Sequence, residues 1–176
     1  MEKQNVQLRD LPKNLGQSNC MCSCDTDLIL LRKNAIGERK AIHHYLCAAD
    51  KVSGAVCKLF MEIAHDEMIH FRRSMTLLSQ YDPIQDCAFS DDCINLPPVD
   101  SFRKSKNCTS FEIMELLTES IADELAAINQ YQESYFCAKH EDVKIYFCET
   151  ANDEKTHLSK LWKCLMTYTN ENICKP

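Results

Sequence analysis

The amino-acid sequence predicts an all-α fold: a four-helix bundle of two antiparallel helix hairpins joined by a long crossover. The chain of 176 residues contains only 3 Gly and 5 Pro, and 45% of its residues are apolar. This composition favours long helices over a turn-rich β fold. Apolar residues also recur with helical periodicity, and the pattern of the first half of the chain returns in the second half.

Apolar residues at alternating three- and four-residue steps define four helices. In the first helix the stripe consists of Leu28, Leu31, Ala35, Glu38, Ile42, Tyr45 and Ala49. The stripes of the other three helices begin at Val56, Met114 and Val143. The predicted organisation is a cysteine-containing segment at 1–24, a first hairpin at 25–80, a crossover at 81–109, a second hairpin at 110–169 and a tail at 170–176.

The connections between the helices follow from turn and capping residues. The expected boundary residues are Asp25 or Thr26 before the first helix, Ser53 or Gly54 in the first turn, Thr109 or Ser110 before the third helix, and Lys139 to Glu141 in the second turn. The crossover is too long for a tight turn. It therefore suits a connection that runs along the bundle and leaves the second and third helices parallel.

Six polar residues interrupt the apolar stripes at matching positions. Each hairpin has a lone glutamate on its first helix and a Glu-x-x-His pair on its second, and residues i and i+3 share a helix face. Burying charged groups is costly unless they are compensated, and two divalent cations would balance four carboxylates. The pattern therefore predicts a dinuclear metal site. Its expected ligands are Glu38, Glu67, His70, Glu124, Glu154 and His157.

The position of these residues along the helices separates them from a chance pattern. Both glutamates of the first hairpin lie about 14 residues from its turn, or about 20 Å along a helix, so the groups can meet in one layer. A third pair, Glu62/His65, also fits Glu-x-x-His. Glu62 lies off the apolar stripe, and the equivalent position in the second half, Asn152, is not a histidine. We expect this third pair to be solvated.

Other polar and sulfur-containing residues allow more than one interpretation. Tyr45 and Tyr131 each follow a predicted glutamate ligand by seven residues. They could be core aromatics, hydrogen-bond partners of ligand carboxylates, or redox-active phenols. We expect His43, His44 and His140 at the surface or at helix boundaries rather than among the ligands. A second, soft-metal site could involve Cys20, Cys22, Cys24, Cys87, Cys93 and Cys108.

Composition narrows the classes of function. The formal net charge of −6 gives no electrostatic support to nucleic-acid binding, and no apolar run is long enough to span a membrane. Residues 1–10 are polar and lack the apolar segment of a secretory signal, so we expect a cytoplasmic protein. The 12 cysteines are accordingly expected to be reduced thiols rather than a disulfide scaffold.

The chain resembles the ferritin-like di-iron superfamily, and most closely its rubrerythrin-like branch. The segments GERKAIHHY, EIAHDEMIHF, IADELAAINQY and ETANDEKTHL look like the ligand helices of that branch. Each half also resembles the two-helix subunit of encapsulated ferritins. The resemblance implies a ferritin-like bundle in which Glu38 and Glu124 are terminal ligands, Glu67 and Glu154 bridge two metals, and one histidine completes each coordination sphere.

The resemblance also implies an activity. A di-iron centre, or a manganese or mixed iron–manganese centre, would react with O2 or H2O2 as a peroxidase or a ferroxidase. Ile121 stands where rubrerythrins carry an additional glutamate, Ala127 offers no substitute, and the paired Cys-x-x-Cys motifs of a rubredoxin domain are missing from this sequence. Electrons would therefore come from Fe(II) itself or from a separate, rubredoxin-like donor. A homodimer is compatible with the family. The alternatives are a non-catalytic metal buffer and a purely structural bundle.

Overall fold

The fold is an all-α four-helix bundle, as the sequence predicts. The computed structural model describes residues 26–82 and 108–172. Its helices are α1 (Thr26–Lys51), α2 (Gly54–Tyr81), α3 (Ser110–Cys137) and α4 (Glu141–Asn172). Within these two ranges there is no β-strand, and no helix has the length and apolarity required to cross a membrane.

The helices pack as two hairpins, α1 with α2 and α3 with α4. The hairpins meet along two further contacts, α2 with α4 and α1 with α3. Lys160 donates a hydrogen bond to Glu62, whereas Gln80 bonds to Asp142 near the start of α4, so α2 and α4 are antiparallel. Helices α2 and α3 therefore lie diagonally and run parallel, as predicted. Most of the predicted crossover, residues 83–107, lies outside the described residues.

The helix starts agree with the predicted turn residues. Thr109 caps α3 in a capping box: the backbone N–H of Glu112 donates to the Thr109 hydroxyl at 3.3 Å, and the backbone N–H of Thr109 donates to the Glu112 carboxylate at 2.7 Å. Gly54 opens α2 with φ of 65°, a conformation that favours glycine. Helix α4 continues to Asn172, three residues beyond the predicted end of the hairpin at 169.

Two apolar clusters fill the bundle, one towards each end. The first surrounds Tyr45, Phe60 and Leu161, close to the α1–α2 turn. The second surrounds Leu31 and Phe147, close to the α3–α4 turn. Along every helix, the predicted metal ligands fall between the residues of these two clusters, so the polar layer lies across the middle of the bundle.

Candidate metal centre

The bundle brings all six predicted ligands into one buried layer. Each of the six side chains is no more than 3% exposed. They form two overlapping groups whose potential ligand atoms all lie within 4.8 Å of one another. Both groups contain Glu67 and Glu154, which are the residues that the sequence resemblance makes bridging ligands. The two groups are Glu38, Glu67, His70 and Glu154, and Glu67, Glu124, Glu154 and His157.

Both imidazole rings point the same nitrogen into this layer. Nδ1 of His70 lies 3.3 Å from a carboxylate oxygen of Glu67 and 3.3 Å from one of Glu154. Nδ1 of His157 lies 3.0 Å from Glu154 and 3.4 Å from Glu67. The donor set of four carboxylates and two Nδ1 atoms is one that hard and intermediate divalent cations such as Fe(II) and Mn(II) accept. The buried groups could therefore hold metal ions.

The other nitrogen of each ring, Nε2, contacts an aspartate that was not among the residues predicted from the sequence. Nε2 of His70 lies 3.2 Å from Asp153 on α4, and Nε2 of His157 lies 3.2 Å from Asp66 on α2. Each aspartate therefore orients the histidine of the opposite hairpin, as a carboxylate commonly does for a metal-binding imidazole. The signal was present in the sequence, because both halves read Asp-Glu-x-x-His rather than only Glu-x-x-His.

The four buried carboxyl groups separate into two protonation classes. Burial, together with the neighbouring carboxylates, raises the pKa of Glu38 well above its usual value and that of Glu124 to about 9. Burial also opposes ionisation of Glu67 and Glu154, but hydrogen bonds from His157 and His70 outweigh it and lower the pKa of both. At neutral pH without metal, Glu38 and Glu124 are therefore neutral acids beside two ionised carboxylates.

The histidines balance this charge. Burial disfavours the imidazolium form, but hydrogen bonds to Glu154 and Glu67 outweigh it and raise the pKa of His70 to about 10 and that of His157 to about 11. Two imidazolium ions thus face two carboxylates, and the layer is neutral. Two divalent cations with four ionised carboxylates and two neutral imidazoles are neutral as well. Metal binding would therefore exchange protons for cations without leaving net charge in the core.

The two predicted tyrosines have different roles in the structure. Tyr45 is buried, and its hydroxyl donates a hydrogen bond to a carboxylate oxygen of Glu124. Tyr131, its counterpart in the repeat, is equally buried, but its hydroxyl has no hydrogen-bond partner in the described part of the chain. The Tyr131 ring instead packs against Tyr146 and Phe147. The prediction of a hydrogen bond to a ligand carboxylate therefore applies to Tyr45, whereas Tyr131 is a core aromatic.

A cavity of about 460 Å³ connects the carboxylate layer to the outer side of the α1–α3 contact. Small residues, Gly37, Ala41 and Ala127, line it together with the ligand carboxylates. Hydrogen bonds join α1 and α3 beside this cavity, and two of them occupy equivalent positions in the repeat: His44 with Ser120, and Gln130 with Asn34.

The remaining predicted residues lie away from this layer. Glu62 and His65 are exposed, as expected, and Glu62 pairs with Lys160. His43 is exposed, His44 lies at the α1–α3 contact, and His140 bonds to Asp27.

Of the cysteines suggested for a second metal site, only Cys108 lies within the described residues. Cys20, Cys22, Cys24, Cys87 and Cys93 lie outside the described residues, whereas Cys108 is half-buried next to the first apolar cluster. Its backbone N–H donates to the carbonyl of Lys51 at 3.0 Å.

Comparison with known proteins does not assign this site. No protein-family model, curated protein or solved structure matches the chain.

Proposed function

We propose that this protein is a ferritin-like, rubrerythrin-like di-iron oxidoreductase that reacts with O2 or H2O2. The observation that carries the proposal is the pair of overlapping carboxylate–imidazole groups that share Glu67 and Glu154. Two cations that share two carboxylates lie close enough to act on one small oxidant. The sequence resemblance supports the choice of iron, with manganese or a mixed iron–manganese pair as the alternative.

The donor set defines which residues would hold each metal ion. Glu38 and His70 would bind one ion, Glu124 and His157 the other, and Glu67 and Glu154 would bridge them. Two bound Fe(II) ions would supply one electron each, which together reduce H2O2 with two protons to two water molecules, or O2 to H2O2. The protein supplies positions, charge and protons for this chemistry.

The chain's own residues perform three tasks in this proposal. Asp66 and Asp153 hold the two imidazoles so that both Nδ1 atoms face the carboxylates. The buried carboxylates balance the cationic charge in a layer that lies between the two apolar clusters. The Tyr45 hydroxyl holds its proton against Glu124, because burial and the carboxylates next to it raise its pKa.

Electron supply distinguishes the two forms of the proposed activity. In a ferroxidase Fe(II) is the substrate, and the oxidised iron leaves. In a peroxidase the iron stays and an external donor, such as a rubredoxin-like protein, reduces it again. We place this activity in the cytoplasm, with support from the six cysteines found free in the described ranges, which suit a reducing compartment.

The decisive experiment is anaerobic Fe(II) loading followed by a stopped-flow pulse of O2 or H2O2. We expect about two irons per chain and rapid oxidation, recorded as the appearance of Fe(III) absorbance. Iron that stays bound and is reduced again by an added donor identifies a peroxidase, whereas release of Fe(III) identifies a ferroxidase. Iron binding with no oxidant-dependent absorbance change would contradict the proposal and favour the alternative function, a non-catalytic metal-binding protein.

A further inference from the structure

The cavity beside the carboxylate layer is larger than the proposed oxidants need. Its volume of about 460 Å³ falls in the range of pockets that bind small organic molecules. One water molecule takes roughly 30 Å³ in the liquid, and O2 and H2O2 each contain only two oxygen atoms. The cavity therefore has room for an organic ligand in addition to an oxidant.

The mouth of the cavity lies between two hydrogen bonds that join α1 and α3. Gln130 donates one of them to Asn34 at 2.8 Å. His44 and Ser120 share the other at 3.0 Å. Asn34 and His44 are ten residues apart on α1, so the mouth between them is about 15 Å long. The side chains that line this stretch are the ones that an entering ligand meets first.

Two residues of opposite charge stand on the two sides of this mouth. Lys40 on α1 and Asp123 on α3 both line the cavity and are exposed. The antiparallel register set by the two hydrogen bonds places them within one residue of the same level. In the described ranges, neither forms an ion pair with a nitrogen–oxygen distance up to 4.0 Å. The mouth therefore presents one ammonium group and one carboxylate to a ligand.

The repeat is interrupted at these two positions. Ala126 takes the place of Lys40 in the second half, and Gly37 takes the place of Asp123 in the first half. All four residues line the cavity. The predicted metal ligands, in contrast, are the same in both halves. A pair of metal ions with a symmetric oxidant requires no difference between the halves, whereas a ligand with two unlike ends does.

We propose that the mouth of the cavity binds a small zwitterion, an α-amino acid, with its carboxylate on Lys40 and its ammonium group on Asp123. Both contacts are charge-assisted hydrogen bonds, which are stronger than neutral ones. The side chain of the ligand points into the cavity, where Gly37, Ala41 and Ala127 leave space. Because both charged groups of an α-amino acid are attached to one carbon, the ligand spans only part of the mouth and leaves the rest of the cavity open.

The two charges determine which molecules fit. A carboxylic acid without an ammonium group pairs only with Lys40, and an amine without a carboxylate pairs only with Asp123. Loss of one hydrogen bond to a charged group weakens binding by about 10- to 100-fold. The site also distinguishes enantiomers. With the ligand side chain inside the cavity and the α-hydrogen outside, the positions of the ammonium and carboxylate groups select one hand.

Titration of the full-length protein with glycine and with both enantiomers of the other common amino acids tests the site. By isothermal titration calorimetry, with and without Mn(II), we expect one-to-one binding of at least one amino acid and a preference for one enantiomer. Analogues of that amino acid that lack the ammonium or the carboxylate group should bind about 10- to 100-fold more weakly. Lys40→Gln and Asp123→Asn should cause losses of the same size.

Two variants with the same changes of charge are the matched controls. Lys33→Gln on α1 and Glu119→Gln on α3 remove exposed charges that do not line the cavity, so amino-acid binding should be unchanged. The exchange Lys40→Asp/Asp123→Lys keeps the net charge but interchanges the two binding positions. We expect this double variant to bind the amino acid with the opposite enantiomer preferred.

Each other outcome overturns the proposal. No binding of any amino acid would mean that the mouth holds water or that Lys40 and Asp123 pair with each other in solution. Equal binding of the analogue without an ammonium group would indicate an anion site on Lys40. A double variant that keeps the enantiomer preference of the wild type would place the ligand elsewhere. Circular dichroism checks the folding of every variant. Because the binding requires neither iron nor an oxidant, it goes beyond the proposed function, and either can fail without the other.

Discussion

The two hairpins are alike at the carboxylate layer and differ outside it. Each contributes a lone glutamate and an Asp-Glu-x-x-His segment, and the aspartate of that segment holds the histidine of the other hairpin. Outside the layer, residues at equivalent positions of the repeat can differ in their contacts. Tyr45 bonds to Glu124, whereas Tyr131 has no hydrogen-bond partner among the described residues. The comparison shows that the polar centre requires the same residues from both halves, whereas the surrounding core tolerates different ones.

The largest expected effect comes from breaking the layer itself. Glu67→Gln and Glu154→Gln should each abolish binding of both metal ions, because each of these residues belongs to both donor groups. Glu38→Gln and Glu124→Gln should each abolish binding of one metal ion, because each residue belongs to only one of the two donor groups. Iron per chain after anaerobic loading and desalting measures this difference.

The third Glu-x-x-His pair supplies the matched control. Glu62 lies on α2 like Glu67, but it is exposed and pairs with Lys160. Glu62→Gln should therefore retain two irons per chain. If all four ligand variants retained two irons, the assigned site would be wrong. If Glu38→Gln and Glu124→Gln lost different amounts, the two hairpins would differ at the layer as well.

The second prediction concerns the aspartates that cross between the hairpins. Asp66→Ala and Asp153→Ala should each lower metal affinity by about 10- to 100-fold, because the released imidazole can turn away from the layer. Competition with a chelator for Mn(II) measures the affinity. Asp123→Ala is the control, since Asp123 also precedes a ligand glutamate but is exposed and contacts neither histidine. Equal losses in all three variants would indicate a general charge effect instead of an orienting one.

Much of the fold and the ligand layer could be predicted because both follow from periodicity. Glu67 and Glu154 occupy the apolar stripes of their helices, so helical geometry alone directs them inwards. The equal distances of Glu38 and Glu67 from the first turn place them at one depth. The repeat then fixes Glu124 and Glu154 in the same way.

What could not be predicted depends on how side chains reach across the bundle. Asp66 and Asp153 lie beside the apolar stripes and are partly exposed, so periodicity assigns them to the surface. Their role appears only when α2 and α4 are adjacent and antiparallel. The different partners of Tyr45 and Tyr131 likewise depend on the packing of α1 against α3, which the repeat alone predicts to be equivalent.

The third prediction sharpens the contrast between the two tyrosines. Tyr45→Phe removes the donor of a buried hydrogen bond to Glu124 and should lower the free energy of unfolding of the metal-free protein by about 1 to 3 kcal/mol. Tyr131→Phe removes a hydroxyl without a partner and should change it by no more than about 0.5 kcal/mol. Urea denaturation measures both. Equal losses would mean that Tyr131 also has a hydrogen-bond partner in solution.

The smallest expected effect concerns the starts of α2 and α4, where the hairpins differ again. The buried Asp27 of α1 accepts hydrogen bonds from the backbone N–H groups of Lys139 and His140, both at 2.8 Å, and so caps α4 from another helix. At the start of α2, the N-cap residue Ser53 makes no side-chain capping hydrogen bond. Asp27→Ala should therefore lower the free energy of unfolding by about 1 kcal/mol, whereas Ser53→Ala should lower it by only a few tenths of a kcal/mol.

The pH dependence of the loss of unfolding free energy in Asp27→Ala identifies the cause of that loss. Burial raises the pKa of Asp27, but hydrogen bonds from the backbone of His140 and Lys139 outweigh it, so the pKa falls below the usual 3.8. The folded state thus favours the ionised form, and Asp27 stabilises the protein above pH 3.8. This contribution is lost as the pH falls through the lower, folded-state pKa. The difference in unfolding free energy between wild type and Asp27→Ala should therefore narrow below pH 3.8. A difference that stays constant there would assign the cap to hydrogen bonding without charge, and α4 would then differ from α2 only in having an acceptor at its start.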